Sequence, residues 1–427
     1  MTRSTRWQAL GTVAGVAFAV AMVVTAADSQ PCPKGTLRFY TSWALQGGMA
    51  AEGSGMKNGV DMAVAEAGAV VAGYCLEVVN LDNTSPQTDK WDEAVEADNA
   101  RKAVADPQAI VYIGPYNSGA AMISARITNR ASMAQITTGA TYSGLTKKVD
   151  GRPGEPWTYR PLALINFFRP LPADDVQGGA GATWAKRLGV RKVFVLNDGE
   201  LYGRGIADVF EASAKRIGLK IAANETIDWT KRDQRPLLTK IGDSGADLVY
   251  MGGVVETGAP GIIRQMREAG LVAPRVRFMG PDGLLQDTLL KDATCDAAIA
   301  TELRVTIPGL PFEKMTGVGS RTYADYKSRF GAEPTAFALY AAEAARVAID
   351  GIRRAAAELD RASTVTDKRD AVRNAIAATR NFDGVYGTWS FDRNGDVDHD
   401  TTSGFKVVRS VSPLGCQFEF DTLVEAE

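Results

Sequence analysis

The sequence predicts an α/β protein built as two doubly wound, parallel-sheet lobes, and three observations lead there. A chain of 427 residues, 45% hydrophobic and 23% charged, is too long for a single core. Short apolar runs alternate with helical periodicity along two separate stretches, the pattern of parallel β-α-β units with right-handed crossovers. Between these stretches, residues 147–172 carry Pro153, Pro156, Pro161, Pro170 and Pro172, which marks an elaborated loop at a boundary.

The first series runs strand Thr36–Trp43, helix Met56–Ala69, strand Tyr74–Leu81, helix Trp91–Ala105, strand Ala109–Ile113, helix Ala120–Ala131 and strand Ala134–Thr138. The second runs strand Lys192–Leu196, helix Gly205–Ile217, strand Lys220–Thr226, helix Pro236–Ser244, strand Asp247–Met251, helix Ala259–Ala269 and strand Val276–Met279. After Pro308 the pattern changes to helices at Thr316–Phe330, Ala336–Leu359 and Lys368–Thr379 with no strands between them. Such helices have no sheet of their own to cover and are expected to pack on the first lobe. Short strands at Gly387–Phe391, Gly404–Val408 and Gln417–Phe420 close the chain. The chain therefore crosses between the lobes more than once, which makes a hinge that bends while keeping the lobes aligned.

The N-terminus is directional. Arg3 and Arg6 precede an uncharged stretch from Ala9 to Ala27 that ends in small residues, the pattern of a secretory signal cleaved near Ala26 or Ala27. The alternative is a membrane anchor of marginal length. The four cysteines, Cys32, Cys75, Cys295 and Cys416, all lie beyond this segment and fit an oxidising compartment. Adjacent first strands favour pairing Cys32 with Cys75, leaving Cys295 with Cys416; four buried thiols are the other possibility. The net charge of −2 and the lack of a Lys/Arg run argue against nucleic acid or an anionic membrane as partner.

Two loops carry the chemistry. Tyr112–Ala121 (YIGPYNSGAA) and the segment from Gln135 (QITTGATYSGLT) each leave a strand for a loop of small residues, where backbone N–H groups and hydroxyls can grip a small anion. Ser118 and Thr141 stand just past the two strand ends, the place where parallel sheets bind ligands. Asp282, in Gly280-Pro281-Asp282-Gly283, and Tyr202, in a strand-to-helix loop, occupy the same position in the second series, where turn geometry and packing are their alternative roles. Catalytic patterns are absent. His399, the only histidine, lies in a polar turn, and there is no H-E-x-x-H, G-x-S-x-G or Walker loop. Asp392-Arg393-Asn394-Gly395-Asp396 looks like the start of a calcium loop, but Ser403 stands where the bidentate Glu belongs, so a hairpin turn explains it better. No metal or cofactor is expected.

From about Lys34 to Phe420 the chain resembles the leucine/isoleucine/valine-binding proteins, the type I periplasmic solute-binding proteins of ABC importers. The resemblance rests on the order of Asn58-Gly59-Val60, IGPYNSGAA, ITTGATYSGLT, PADDVQG, VFVLNDGELYGRG, IIRQMREAGL, FMGPDG and WSFDRNGD. It implies two lobes joined by three crossovers that close on a ligand: signal peptide 1–27, first lobe 28–173 with 306–392, second lobe 174–305 with 393–427. It implies that Ser118 and Thr141 hold a ligand α-carboxylate, that the Gly139 backbone contacts the ligand, that Asp282 pairs with the α-ammonium, and that Tyr202 closes over it. Tyr116 and Asn117, beside Ser118, join the candidate contacts, and Trp43, Tyr116 and Tyr142 are candidates for the side-chain pocket. Glu52 falls where the family often has an apolar wall, and it is expected either to face solvent or to touch ligand. The implied function is a monomeric, exported, non-catalytic binding protein that delivers an amino acid to a membrane permease. The alternatives are an amide, urea or aromatic acid as ligand, or a ligand sensor.

Overall fold

A computed structural model describes residues 32–427 except 69, 88–89 and 150–151. The expected signal segment lies outside the described residues. No helix among them is long and apolar enough to cross a membrane.

The first sheet has 6 strands in the order Val70–Val71, Tyr74–Asp82, Thr36–Trp43, Ala109–Ile113, Ala134–Ile136, Phe167–Phe168. All pairs are parallel except that of Val70–Val71 with its neighbour. The chain order reverses between Thr36–Trp43 and Ala109–Ile113, so a crevice opens at their C-terminal ends. The second sheet has 7 strands in the order Lys220–Thr226, Lys192–Asn197, Leu248–Gly252, Arg277–Gly280, Arg304–Pro308, Thr402–Arg409, Cys416–Val424. Its switch point lies between Lys192–Asn197 and Leu248–Gly252. The last two strands run antiparallel, so this sheet is mixed rather than wholly parallel.

The chain passes between the two sheets after Arg169, after Pro308 and after Asp398. The late helices Gly317–Phe330, Ala338–Arg354 and Val365–Ala377 share one core with the first sheet, in which Leu37, Phe39 and Val111 meet Leu339, Val347 and Ile376. Both cysteine pairs are bridged, Cys32 to Cys75 and Cys295 to Cys416, with Cα separations of 5.4 and 5.7 Å.

Two departures from the sequence reading have a common cause. The first helix spans Ala50–Ala67 and so starts six residues earlier than expected. Gly53 and Gly55 read as a loop, but both lie in a helix where neighbours press close. A Cβ on Gly53 would stand 2.0 Å from the Ala44 carbonyl oxygen, and one on Gly59 would stand 2.1 Å from that of Ala338. The helix Asp174–Arg187 has no counterpart in the sequence reading. Gly178, Gly179 and Gly181 suppress its helical signal, and it is buried on nearly every side, which erases amphipathic periodicity.

Close approach and intrinsic helix propensity therefore predict opposite signs for two helical glycines. Gly59→Ala is expected to cost about 1–3 kcal/mol by overpacking against Ala338. Gly242→Ala, whose Cβ would meet nothing nearer than Leu271 at 3.6 Å, is expected to gain about 0.5–1 kcal/mol. Thermal melting of the two variants checks this: the first should melt below wild type and the second above it.

Candidate functional site

Both switch points open toward one cavity, with an empty volume of about 600 Å³ including its mouth. From the first sheet come Tyr116, Asn117, Ser118 and Gly119, which follow Ala109–Ile113, and Gly139, which follows Ala134–Ile136. From the second come Asp198, Glu200, Leu201 and Tyr202 after Lys192–Asn197, Val254, Glu256 and Thr257 after Leu248–Gly252, and Asp282 after Arg277–Gly280.

The first wall is made of backbone and hydroxyls. Ser118 opens the helix Ser118–Arg130, and Asn117 before it makes no side-chain cap bond. The first-turn N–H groups of such a helix have no partner within it and favour an anion. Ser118 Oγ accepts from the Tyr142 N–H at 3.2 Å, tying the two anion-binding loops together. Thr137 Oγ1 accepts from the Ala140 N–H at 2.8 Å and donates to Pro115 O at 3.0 Å, which folds the second loop back on the first. Gly139 must lack a side chain, because a Cβ would stand 2.3 Å from the Tyr116 ring.

The geometry of this loop is set from below by Arg169, which is fully buried. Its Nη1 donates to the carbonyls of Ala140 (3.2 Å) and Tyr142 (2.9 Å), while Nε and Nη2 bind Asp396 Oδ1 at 3.0 and 2.8 Å. Thr146 Oγ1 completes the cluster, donating to Asp396 Oδ2 at 2.8 Å. Asp396 belongs to the segment that resembles a calcium loop; it is a turn whose last carboxylate anchors Arg169.

The second wall is acidic. Tyr202 donates to Asp282 Oδ1 at 2.7 Å. Asp282 is 3% exposed and has no ion pair among the described residues. Burial pushes its carboxyl up to about 6, against the opposing hydrogen bond from Tyr202. Asp198 is likewise pushed up to about 6 by burial, although Thr257 Oγ1 donates to it at 2.8 Å. Asp174 lies behind this wall with both carboxylate oxygens buried and without partners among the described residues. Burial, and then the charge of Asp282, raise it well above the usual range.

Of the nine candidate contacts from the sequence, six line the cavity: Tyr116, Asn117, Ser118, Gly139, Tyr202 and Asp282. The Thr141 hydroxyl is buried and unpartnered just behind the wall, one residue before the N–H that Ser118 holds. Trp43 is fully buried, its indole N–H donating to Asn80 Oδ1 at 3.2 Å, and it is not part of the wall. Glu52 does not face solvent. It accepts from Thr335 Oγ1 and from the Phe337 N–H, both at 2.9 Å, and burial pushes it up to about 7. It borders a second hollow, near Gln286 and Tyr340.

Sequence reasoning missed Lys90 and Trp91, which sit on a small hairpin away from the switch points, and noted Glu256 beside the expected second-lobe wall without counting it among the contacts. Lys90 bridges to Glu200 at 2.8 Å across the cavity mouth. No group of three or more His, Cys, Asp or Glu among the described residues could hold a metal ion.

A family profile described as periplasmic binding protein matches residues 41–412. The chain belongs to the periplasmic binding protein family. An amino acid binding protein of Pseudomonas aeruginosa is 32% identical over 209 residues, 48% of this chain and 51% of that protein, so the chain matches about half of that relative's length. Other relatives are named Leu/Ile/Val-binding proteins, which sets the chain in the type I branch. Among solved structures, a leucine binding protein of Thermotoga maritima has a TM-score of 0.76 at 22% identity, covering 91% of this chain and 99% of that one. A solute binding protein of Rhodopseudomonas palustris in complex with p-hydroxybenzoic acid has a TM-score of 0.73 at 19% identity, covering 92% and 98%. At these identities the likeness shows the fold alone.

Because Arg169 and Asp396 are buried partners, removing one strands the other. Arg169→Gln is expected to lose about 3–5 kcal/mol of stability in chemical denaturation. An unchanged midpoint would show that the loop does not depend on this pair.

Proposed function

We propose that this periplasmic binding protein captures a zwitterionic amino acid between its two lobes outside the cytoplasm and passes it, as a non-catalytic monomer, to an ABC permease. One observation carries the reading: helix-start donors on one lobe and the buried Asp282 carboxylate on the other line the same cavity. A zwitterion needs both. Its carboxylate goes to Ser118, Asn117 and the hydroxyl of Thr141, and its ammonium to Asp282 beneath Tyr202. A ligand touching both walls favours the closed state by its differential affinity, with the lobes moving about the three chain passages.

A second reading has an observation behind it, because fold neighbours hold benzoate and hydroxybenzoates. An aromatic acid would use the same donors, but it would bring no cation to Asp282 and would require that carboxyl to be protonated.

The two readings differ in the sign of their pH dependence. Asp282 binds an ammonium only when ionised, so from a carboxyl near 6, affinity for an amino acid should level off above neutrality and fall about tenfold per pH unit below 6. The neighbouring acids Asp174, Glu52 and Glu256 are also raised by burial and reinforce this direction. Benzoate affinity should instead rise as the pH falls toward 5. Calorimetry with leucine and with benzoate between pH 5 and 8 decides between the two. Asp282→Ala should weaken amino-acid binding by about 2–5 kcal/mol; unchanged affinity would remove Asp282 from the site.

A further inference from the structure

The acidity of the cavity exceeds what one ammonium can neutralise. Among the charged side chains that line it are four carboxylates, Asp198, Glu200, Glu256 and Asp282, and one ammonium, Lys90. Lys90 is engaged with Glu200 at 2.8 Å and lies over the Trp229 ring at 4.9 Å. Asp198 accepts from Thr257 Oγ1 and from the Glu200 N–H at 3.0 Å, which accounts for it as a loop-holding group. Asp282 takes the ammonium of the proposed ligand. Glu256 remains.

Both carboxylate oxygens of Glu256 are buried and no side chain among the described residues donates to them; only its own backbone N–H lies near enough to oppose the effect of burial. The side chain reaches from the second lobe onto the Gly47–Met49 turn of the first. A Cβ on Gly48 would stand 2.6 Å from Glu256 Oε1 and 2.7 Å from its Cγ. This contact between the lobes covers the carboxylate. Burial raises its pKa, and Glu256, Asp282 and Tyr116 line the same cavity. An uncompensated buried carboxylate is costly. A ligand with an apolar side chain leaves it stranded in the closed state, whereas a ligand with a second positive charge turns that cost into an attraction realised only on closure.

We propose that Glu256 is the specificity-determining residue of this cleft and that the ligand is an α-amino acid with a cationic side chain, a guanidinium or a primary amine. The proposal rests on the reading of the cleft as an amino-acid site. The side chain runs from Asp282 past Val254 to the Glu256 carboxylate, while the α-carboxylate stays with Ser118 and Asn117.

Calorimetry of the purified protein with L-arginine, L-ornithine, L-leucine and benzoate tests it. Arginine or ornithine should bind at least about 30-fold more tightly than leucine, and Glu256→Gln should reduce that preference by about 30-fold or more, the lower range for removing one partner of a buried charge pair. The ranking on the wild-type protein stands even if the variant fails to fold. Leucine binding as tightly as both basic amino acids, or a folded Glu256→Gln protein that keeps the wild-type preference, overturns the proposal and leaves the amino-acid reading standing. Benzoate binding without affinity for any of the three amino acids overturns both, and failure to bind either basic amino acid overturns the proposal whatever else binds.

Discussion

A carboxylate taken out of water must find a proton, a hydrogen-bond network or a cation, and the cleft of this protein is organised around that constraint. Asp282 sits at the C-terminal end of a central strand, 3% exposed, with the Tyr202 hydroxyl on one oxygen. Its charge bears on Asp174, Glu52, Tyr116, Tyr202 and Tyr250. Without a cation, the closed cleft keeps this group near its titration point. With an ammonium in place, the same burial becomes the source of affinity. In the proposed clamp the constraint would couple closure to the chemistry of the ligand and make the empty closed state the unfavourable one.

The opposite wall has to hold its donors still, and it does so from a distance. Arg169 leaves the first sheet where the chain first passes to the second lobe, and Asp396 lies just before the third passage. Their buried pair grips the carbonyls of Ala140 and Tyr142, so the loop that faces the ligand is fastened to the segments about which the lobes would bend. A hinge motion that disturbed this pair would move the donors as well. Binding geometry and domain geometry are therefore linked through one guanidinium.

Much of the architecture was legible because it is written in local periodicity. Strands such as Ala109–Ile113 and Leu248–Gly252 are apolar runs of the right length between turn residues, and the centre of each sheet follows from their alternation with helices, while Phe167–Phe168 and Arg304–Pro308 were not read from it. Ser118, Tyr202 and Asp282 were legible because they stand at strand ends, where open sheets bind ligands. What stayed hidden depends on partners remote in sequence. Gly55 lies within the first helix, where Thr335 from late in the chain packs against the place a side chain would take. Arg169 gains its role from a residue 227 positions away. Glu52 was left between solvent and ligand because its two donors, Thr335 and Phe337, come from late in the chain.

The proposed clamp has donors on one lobe and a counter-charge on the other. A crystal structure of the protein with the α-amino acid that most raises its melting temperature tests this most directly. The account predicts the ligand carboxylate against Ser118 and the start of its helix, with the ammonium within hydrogen-bond distance of Asp282. A ligand bound in the reverse sense, or one that contacts a single lobe and leaves Asp282 without a cation, would contradict it.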